Sequence, residues 1–247
     1  AHYQGIPLAN SAVPAARAGV RYLENRRISR ALQRRQLDML REISRDQLRQ
    51  TGPNRELEGR IDSFELAFRM QTQMPEIQDV TNETAATRRL YGLDVPATEN
   101  FGRQCLLARR FAEQGVRFIQ VTHAPQPGLW DQHHSLHADH ERNARQVDQP
   151  IAGLLEDLKQ RGLLDDTLVI WGGEFGRTPT VQGGYNERAG RDHNPDGFTI
   201  WLAGGGVKGG MRYGATDDYG YHAAENKVHL HDLHATILYL LGLDHEA

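Results

Sequence analysis

The apolar residues of this chain change their period at Gly115, and few folds accommodate such a change. Before that point apolar residues recur at helical spacing. In RISRALQRRQLDMLREISRDQLRQTG, Leu32, Leu37, Leu40, Ile43 and Leu48 lie three to five residues apart, and Gly52-Pro53 stops the run. Asn54 is placed to cap a second helix, RELEGRIDSFELAFRMQTQ, whose apolar face is Leu57, Ile61, Phe64, Leu66 or Ala67, and Met70; a loop is expected through Pro75. A short helix is expected over Glu83 to Tyr91. Another is expected over Thr98 to Gly115, with Cys105, Leu106, Leu107 and Phe111 inward. The arginines of the first helix (Arg27, Arg30, Arg34, Arg35, Arg41) have Glu and Asp interspersed among the residues of the run, the pattern of a solvated, salt-bridged face.

After Gly115 the apolar residues come in short β-branched and aromatic runs, VRFIQVT (116–122), TLVIWGG (167–173) and GFTIWLAGG (197–205), each closed by Gly or polar residues. Between the first two lies ERNARQVDQPIAGLLEDLKQRG, a long helix with Leu154, Leu155 and Leu158 on one side and Gly162 as its stop. Strand, helix, strand is the order of a mainly parallel α/β sheet. A last helix, HLHDLHATILYLLG, turns Leu233, Ile237, Leu240 and Leu241 inward. The expected organisation is a helical segment over 1–115 and an α/β half over 116–247.

Composition narrows the chemistry. A net charge of −3 excludes a generally basic nucleic-acid binder. No run approaches the roughly 20 apolar residues of a membrane span. The one cysteine, Cys105, rules out an intrachain disulfide and a cysteine-cluster metal site, so any metal must be held by nitrogen and oxygen. Of the twelve histidines, all but His2 follow residue 120. The chain opens without Met, charged n-region or apolar h-region and stops directly after a helix-like run, which reads as a piece of a longer polypeptide.

Three clusters sit in loops beside the expected strands, where open α/β sheets place their sites. In WDQHHSLHADH (130–140), Asp131 and His133 are a carboxylate and an imidazole two residues apart, able to point the same way on extended chain; His134, His137, His140, His123 and Asp139 are nearby candidates. In WGGEFGRTPT (171–180), Gly172 and Gly173 permit a sharp turn, Glu174 is an oxygen ligand or general base, and Arg177 offers a planar fork for phosphate, sulfate or carboxylate. In GRDHNPDGF (190–198), His193 is a candidate ligand, and Asp192 orients it or ligates itself. Together Asp131, His133, Glu174, His193 and Asp192 make a nitrogen–oxygen set suited first to Zn²⁺, with Ca²⁺, Mg²⁺ or Mn²⁺ open. The glycine-rich LAGGGVKGG lacks a nucleotide-binding spacing and reads as a hairpin or loop. Asp232 fits the cap or first turn of the last helix, and His229, His231 and His234 read as packing residues.

The words GLWDQH, DQPIAGLLEDLKQRGLLDDTLVIWGGEFGRTP, GRDHNPDGFTIWLAGGGVKGG and YGATDDYGYHAAENKVHLHDLHATILYLLGLDHE resemble the carboxyl-terminal portion of the domain of unknown function 1501 family, sulfatase-like proteins of the alkaline phosphatase superfamily. The likeness runs from about Arg30 to the end and is specific over 100–245. It implies a mainly parallel sheet flanked by helices, preceded by a helical segment, and a metal-dependent hydrolase of sulfate or phosphate esters. The superfamily's Asp–His pair is similar to Asp131 with His133, its acidic ligand to Glu174 and its later histidine to His193, while Arg177 would stabilise charge on the transferred group. Glu174-Phe175 stands where the superfamily has Asp-His, and the nucleophile belongs to an amino-terminal half missing from this chain; Ser135 and Thr178 lack a nucleophile's setting. The resemblance further implies a small-molecule or glycan ester substrate and a periplasmic or secreted location. The alternative is a degraded, non-catalytic binding protein that keeps the fold.

Overall fold

The computed structural model describes residues 27–124 and 130–246, together with 8, 14–17, 19, 23 and 25. The expectation that the opening residues form a cut end falls largely outside the described residues, as do Gly128 and Leu129 of GLWDQH. Two compact units divide the chain, Ala1–Glu83 and Thr84–Ala247.

The first unit is a helical hairpin. Helix α1, Arg30–Thr51, starts where the Ser29 side chain accepts the Leu32 N–H and stops where the Gly52 N–H donates to the Leu48 carbonyl. Helix α2, Arg55–Gln78, is capped by Asn54, as its position suggested, with Glu56 and Glu58 in the first turn against the positive end of the helix. It runs on through Pro75 where a loop was expected. The ring sits in the last turn, and the Asp79 N–H closes that turn on the Pro75 carbonyl at 3.0 Å. Charge more than apolar burial joins the two helices. Arg34 grips both oxygens of Glu65 at 2.6 and 2.8 Å, Arg41 reaches the same carboxylate at 2.9 Å, and Arg34 lies over the Phe68 ring. Phe64 and Leu66, expected inward, are exposed, and α1 buries no residue.

The second unit has a helical core. Helices α3 (Ala85–Leu90), α4 (Glu99–Glu113) and α5 (Leu136–Gln160) precede a last helix, α6 (Leu230–Leu240). Helix α4 packs on α5, and Tyr91, Phe101, Cys105, Leu106, Phe111, Val147 and Leu158 are buried. Gly102 permits the closest approach in that core, because a Cβ there would lie 2.1 Å from the Tyr91 carbonyl oxygen. A balanced set of charges, Asp157 and Arg109 buried and Glu113 and Arg161 exposed, joins the helices. Asp157 accepts from the Tyr91 hydroxyl (2.9 Å) and Arg161 (2.7 Å) and lies 2.9 Å from Arg109 Nε, while Glu113 takes the free ends of both arginines at 2.7 Å. Burial, with the Asp157 charge beside it, pushes the Tyr91 hydroxyl up beyond the ordinary tyrosine range.

The expected mainly parallel sheet is not what forms. Strands β1 (Val169–Trp171) and β4 (Trp201–Ala203) occupy two of the three apolar runs, but they pair antiparallel, Ile170 opposite Leu202. Strands β2 (Gly176–Arg177) and β3 (His193–Asn194), and β5 (Ala215–Thr216) and β6 (Ala223–Glu225), make two further antiparallel pairs, and none of the three sheets exceeds two strands. A parallel partner needs a crossover of a dozen or more residues, usually helical. Between β1 and β4 the chain instead doubles back through β2 and β3 and returns from the opposite direction. The third run, 116–122, forms no strand, and Phe118 within it is 82% exposed. Thus α5 does not cross over between parallel strands, although its existence and its buried Leu158 agree with the helical spacing. Leu233, Ile237 and Leu240 of α6 are half-buried and Leu241 is exposed. Among the described residues no helix is long and apolar enough to cross a membrane.

Candidate metal centre

A three-segment ladder brings the distant motifs together. Residues 188–194 form its middle. On one side they pair with 132–136: Arg191 N–H donates to the Gln132 carbonyl (3.0 Å), Ser135 N–H to Arg188 (2.8 Å) and Leu136 N–H to Ala189 (3.2 Å). On the other side they pair with 176–182, through β2–β3, Thr178 N–H to the Asp192 carbonyl (2.9 Å) and Gln182 N–H to Gly190 (2.9 Å). Gly190 is obligatory, since a Cβ there would fall 2.0 Å from the His133 carbonyl carbon. Ser135 takes a left-handed φ of 52° at the start of α5, turning the chain from the ladder into the helix.

This pairing gathers Asp131, His133 and His193, whose ligand atoms all lie within 4.8 Å of one another. The focus is one oxygen. Asp131 Oδ1 is 2.8 Å from His193 Nε2, 2.9 Å from His133 Nε2 and 2.8 Å from Arg177 Nη2. Hydrogen bonding from His193, then from Arg177, holds the Asp131 carboxyl down at about 2, well below the ordinary range. Arg177 is itself aimed by carbonyls, donating to Trp130 at 3.2 Å and Arg191 at 3.4 Å. The site is open: the side chains of Asp131, His193 and His133 are 45%, 40% and 34% exposed.

The donor set suits a divalent cation of zinc's character, one carboxylate and two imidazoles converging from two segments, 131–133 and 193. Its separations are those of hydrogen bonds. Ligands 2.0–2.1 Å from a tetrahedral zinc stand about 3.3 Å apart, so the three groups need to part by a few tenths of an ångström to admit one. Arg177 competes for the same oxygen.

The other candidates sit elsewhere. Glu174 is exposed in the turn between β1 and β2 and is not among the clustered ligands. Phe175 beside it packs its ring 4.3 Å from that of His193 and forms an apolar wall on that side of the imidazole. Asp192 Oδ1 accepts the His193 N–H at 2.8 Å and lies 3.9 Å from His133 Nδ1, a neighbour more than a ligand. His123 is turned away: Trp130 Nε1 donates to its Nδ1 at 2.9 Å, and its Nε2 meets Gln146 at 2.9 Å. His140 meets Gln132 at 3.2 Å, and Asp139 pairs with Arg142. His229 is the cap of α6, with Asp232 closing the reciprocal bond. Two contributors carried no signal in the sequence, the Trp130 carbonyl on Arg177 and the Gln182 side chain on His133 Nδ1 at 2.6 Å. Neither belongs to a residue type that metal-site reasoning selects.

The family model described as protein of unknown function (DUF1501) matches residues 1–247, and the chain belongs to that family. No curated protein and no solved structure matches it.

Proposed function

We propose that this chain is part of a metal-dependent hydrolase of sulfate or phosphate esters, with Asp131, His133 and His193 as the ligands of a divalent cation, zinc before calcium, magnesium or manganese. The convergence of three ligand atoms on one point, from residues 62 apart in sequence, carries the reading. The cation, once bound, supplies Lewis-acid polarisation of an ester oxygen. Arg177, already beside Asp131, is placed to meet the anionic group of the substrate with its planar fork and to oppose charge that develops there. Asp192 steadies the His193 backbone. The openness of the site suits a small-molecule or glycan ester reached from solvent, and the sulfatase-like resemblance supports both that substrate class and a periplasmic or secreted setting.

Hydrolysis of aryl sulfate and aryl phosphate, with and without EDTA and with Arg177→Ala, tests the reading. Turnover abolished by EDTA and restored by zinc is expected; EDTA-insensitive turnover contradicts it. One observation favours a second reading, a non-catalytic binding protein. The Arg177–Asp131 pair at 2.8 Å neutralises the carboxylate without a metal, and Glu174 does not join the set. Zinc-free protein that binds an anion through Arg177 without turnover distinguishes it.

A further inference from the structure

We propose that Gln182 is a positioning residue that fixes the tautomer of His133, leaving Nε2 bare and aimed at the cation site; this rests on the metal reading above. Gln182 Oε1 lies 2.6 Å from His133 Nδ1. An amide oxygen only accepts, so the proton of that bond belongs to Nδ1. A neutral imidazole with its proton on Nδ1 has a lone pair on Nε2, and Nε2 faces Asp131 Oδ1 at 2.9 Å. Two acceptors at that separation repel unless something positive stands between them. Asp131 Oδ1 already receives hydrogen bonds from Arg177 and His193, both at 2.8 Å, and these two donors serve it without a proton on His133 Nε2. The arrangement is that of a metal ligand oriented through its other ring nitrogen.

Asp192 Oδ1, 3.9 Å from that nitrogen, is beyond hydrogen-bonding distance and does not take the place of Gln182. The backbone aims the amide: Gln182 N–H bonds to the Gly190 carbonyl at 2.9 Å, and Gly190 is itself pressed against the His133 backbone. The same ladder strand therefore locates both the imidazole and the residue that orients it. Gln182 is exposed and its side chain has no part in the core, so its substitution tests the hydrogen bond and not the fold.

Two readouts separate this inference from the metal reading. Long-range ¹H–¹⁵N spectra of the metal-free chain at pH 8 are expected to show His133 protonated on Nδ1, shifting toward Nε2–H in Gln182→Leu and staying on Nδ1 in Gln182→Glu. An Nε2–H tautomer in the unsubstituted chain overturns the proposal whatever the metal content. Calorimetric titration with zinc chloride is expected to show affinity weakened about 10–100-fold in Gln182→Leu, the usual cost of losing such a partner, and kept or tightened in Gln182→Glu. Equal zinc affinity in the unsubstituted chain and Gln182→Leu overturns it as well. Failure of the unsubstituted chain to take up zinc, with His133 still held as Nδ1–H by Gln182, sinks the metal reading while the orienting bond stands.

Discussion

Gly190→Ala is a single-methyl perturbation of the ladder that gathers the site. The added Cβ would fall 2.0 Å from the His133 carbonyl carbon, 2.2 Å from its oxygen and 2.3 Å from the His134 nitrogen. Cβ atoms stay beyond 3.0 Å from such neighbours, so segments 188–191 and 132–136 must part by about 1 Å. All three obstacles are backbone atoms, and no side chain can rotate out of the way. Overpacking of this kind costs about 1–3 kcal/mol, which lowers the melting temperature of a unit this size by roughly 2–12 °C. The displacement moves His133 relative to Asp131 and His193, and zinc affinity is expected to fall about 10–100-fold, as when an orienting partner is lost. Gly184→Ala is the control, in the same loop with its nearest neighbour at an ordinary 3.5 Å, and is expected to leave both quantities near their starting values. Calorimetric zinc titration and thermal melts of the two variants decide the matter. Equal affinity and equal melting temperature in both refute the claim that backbone pairing at 190 locates the imidazole.

Three further outcomes are expected. Asp157→Ala removes one buried carboxylate from two arginines and the Tyr91 hydroxyl, and chemical denaturation should show a loss of about 3–5 kcal/mol, whereas Tyr91→Phe should cost less than half of that. Because the Asp131 carboxyl titrates near 2 when folded and near 3.9 when unfolded, its contribution to stability is complete above about pH 4 and disappears as pH falls toward 2; acid unfolding of Asp131→Asn should lack that part of the slope. Arg177→Met removes the cation competing for Asp131 Oδ1, so zinc should bind more tightly by roughly tenfold while ester hydrolysis falls by about 10²–10³.

The parts of this molecule legible in the sequence are those governed by local rules. Helix periodicity, the Asn54 cap and the Gly52 stop placed α1 and α2, and the apolar runs at 169–171 and 201–203 are strands. Direction of pairing is not a local property: the same run of β-branched residues serves a parallel or an antiparallel partner, and only the path between β1 and β4 decides. Similarly, a helical wheel ranks Phe64 above Glu65, but Arg34 and Arg41 reverse the order by covering the acid. At the site, residue chemistry singled out Asp131, His133 and His193. Glu174, the same in chemistry, is left in an exposed turn, because a two-residue strand and its turn give no guide to where a side chain points. Gln182 and the Trp130 carbonyl escape sequence reasoning for a different reason. They act through position alone.

The cation site itself is tested most directly by counting metal. The purified 247-residue chain, equilibrated with zinc and dialysed, should retain close to one zinc per molecule by plasma mass spectrometry, and Asp131→Ala, His133→Ala and His193→Ala should each retain almost none while melting cooperatively. Zinc retained equally by all three variants, or by none of the four proteins, contradicts it.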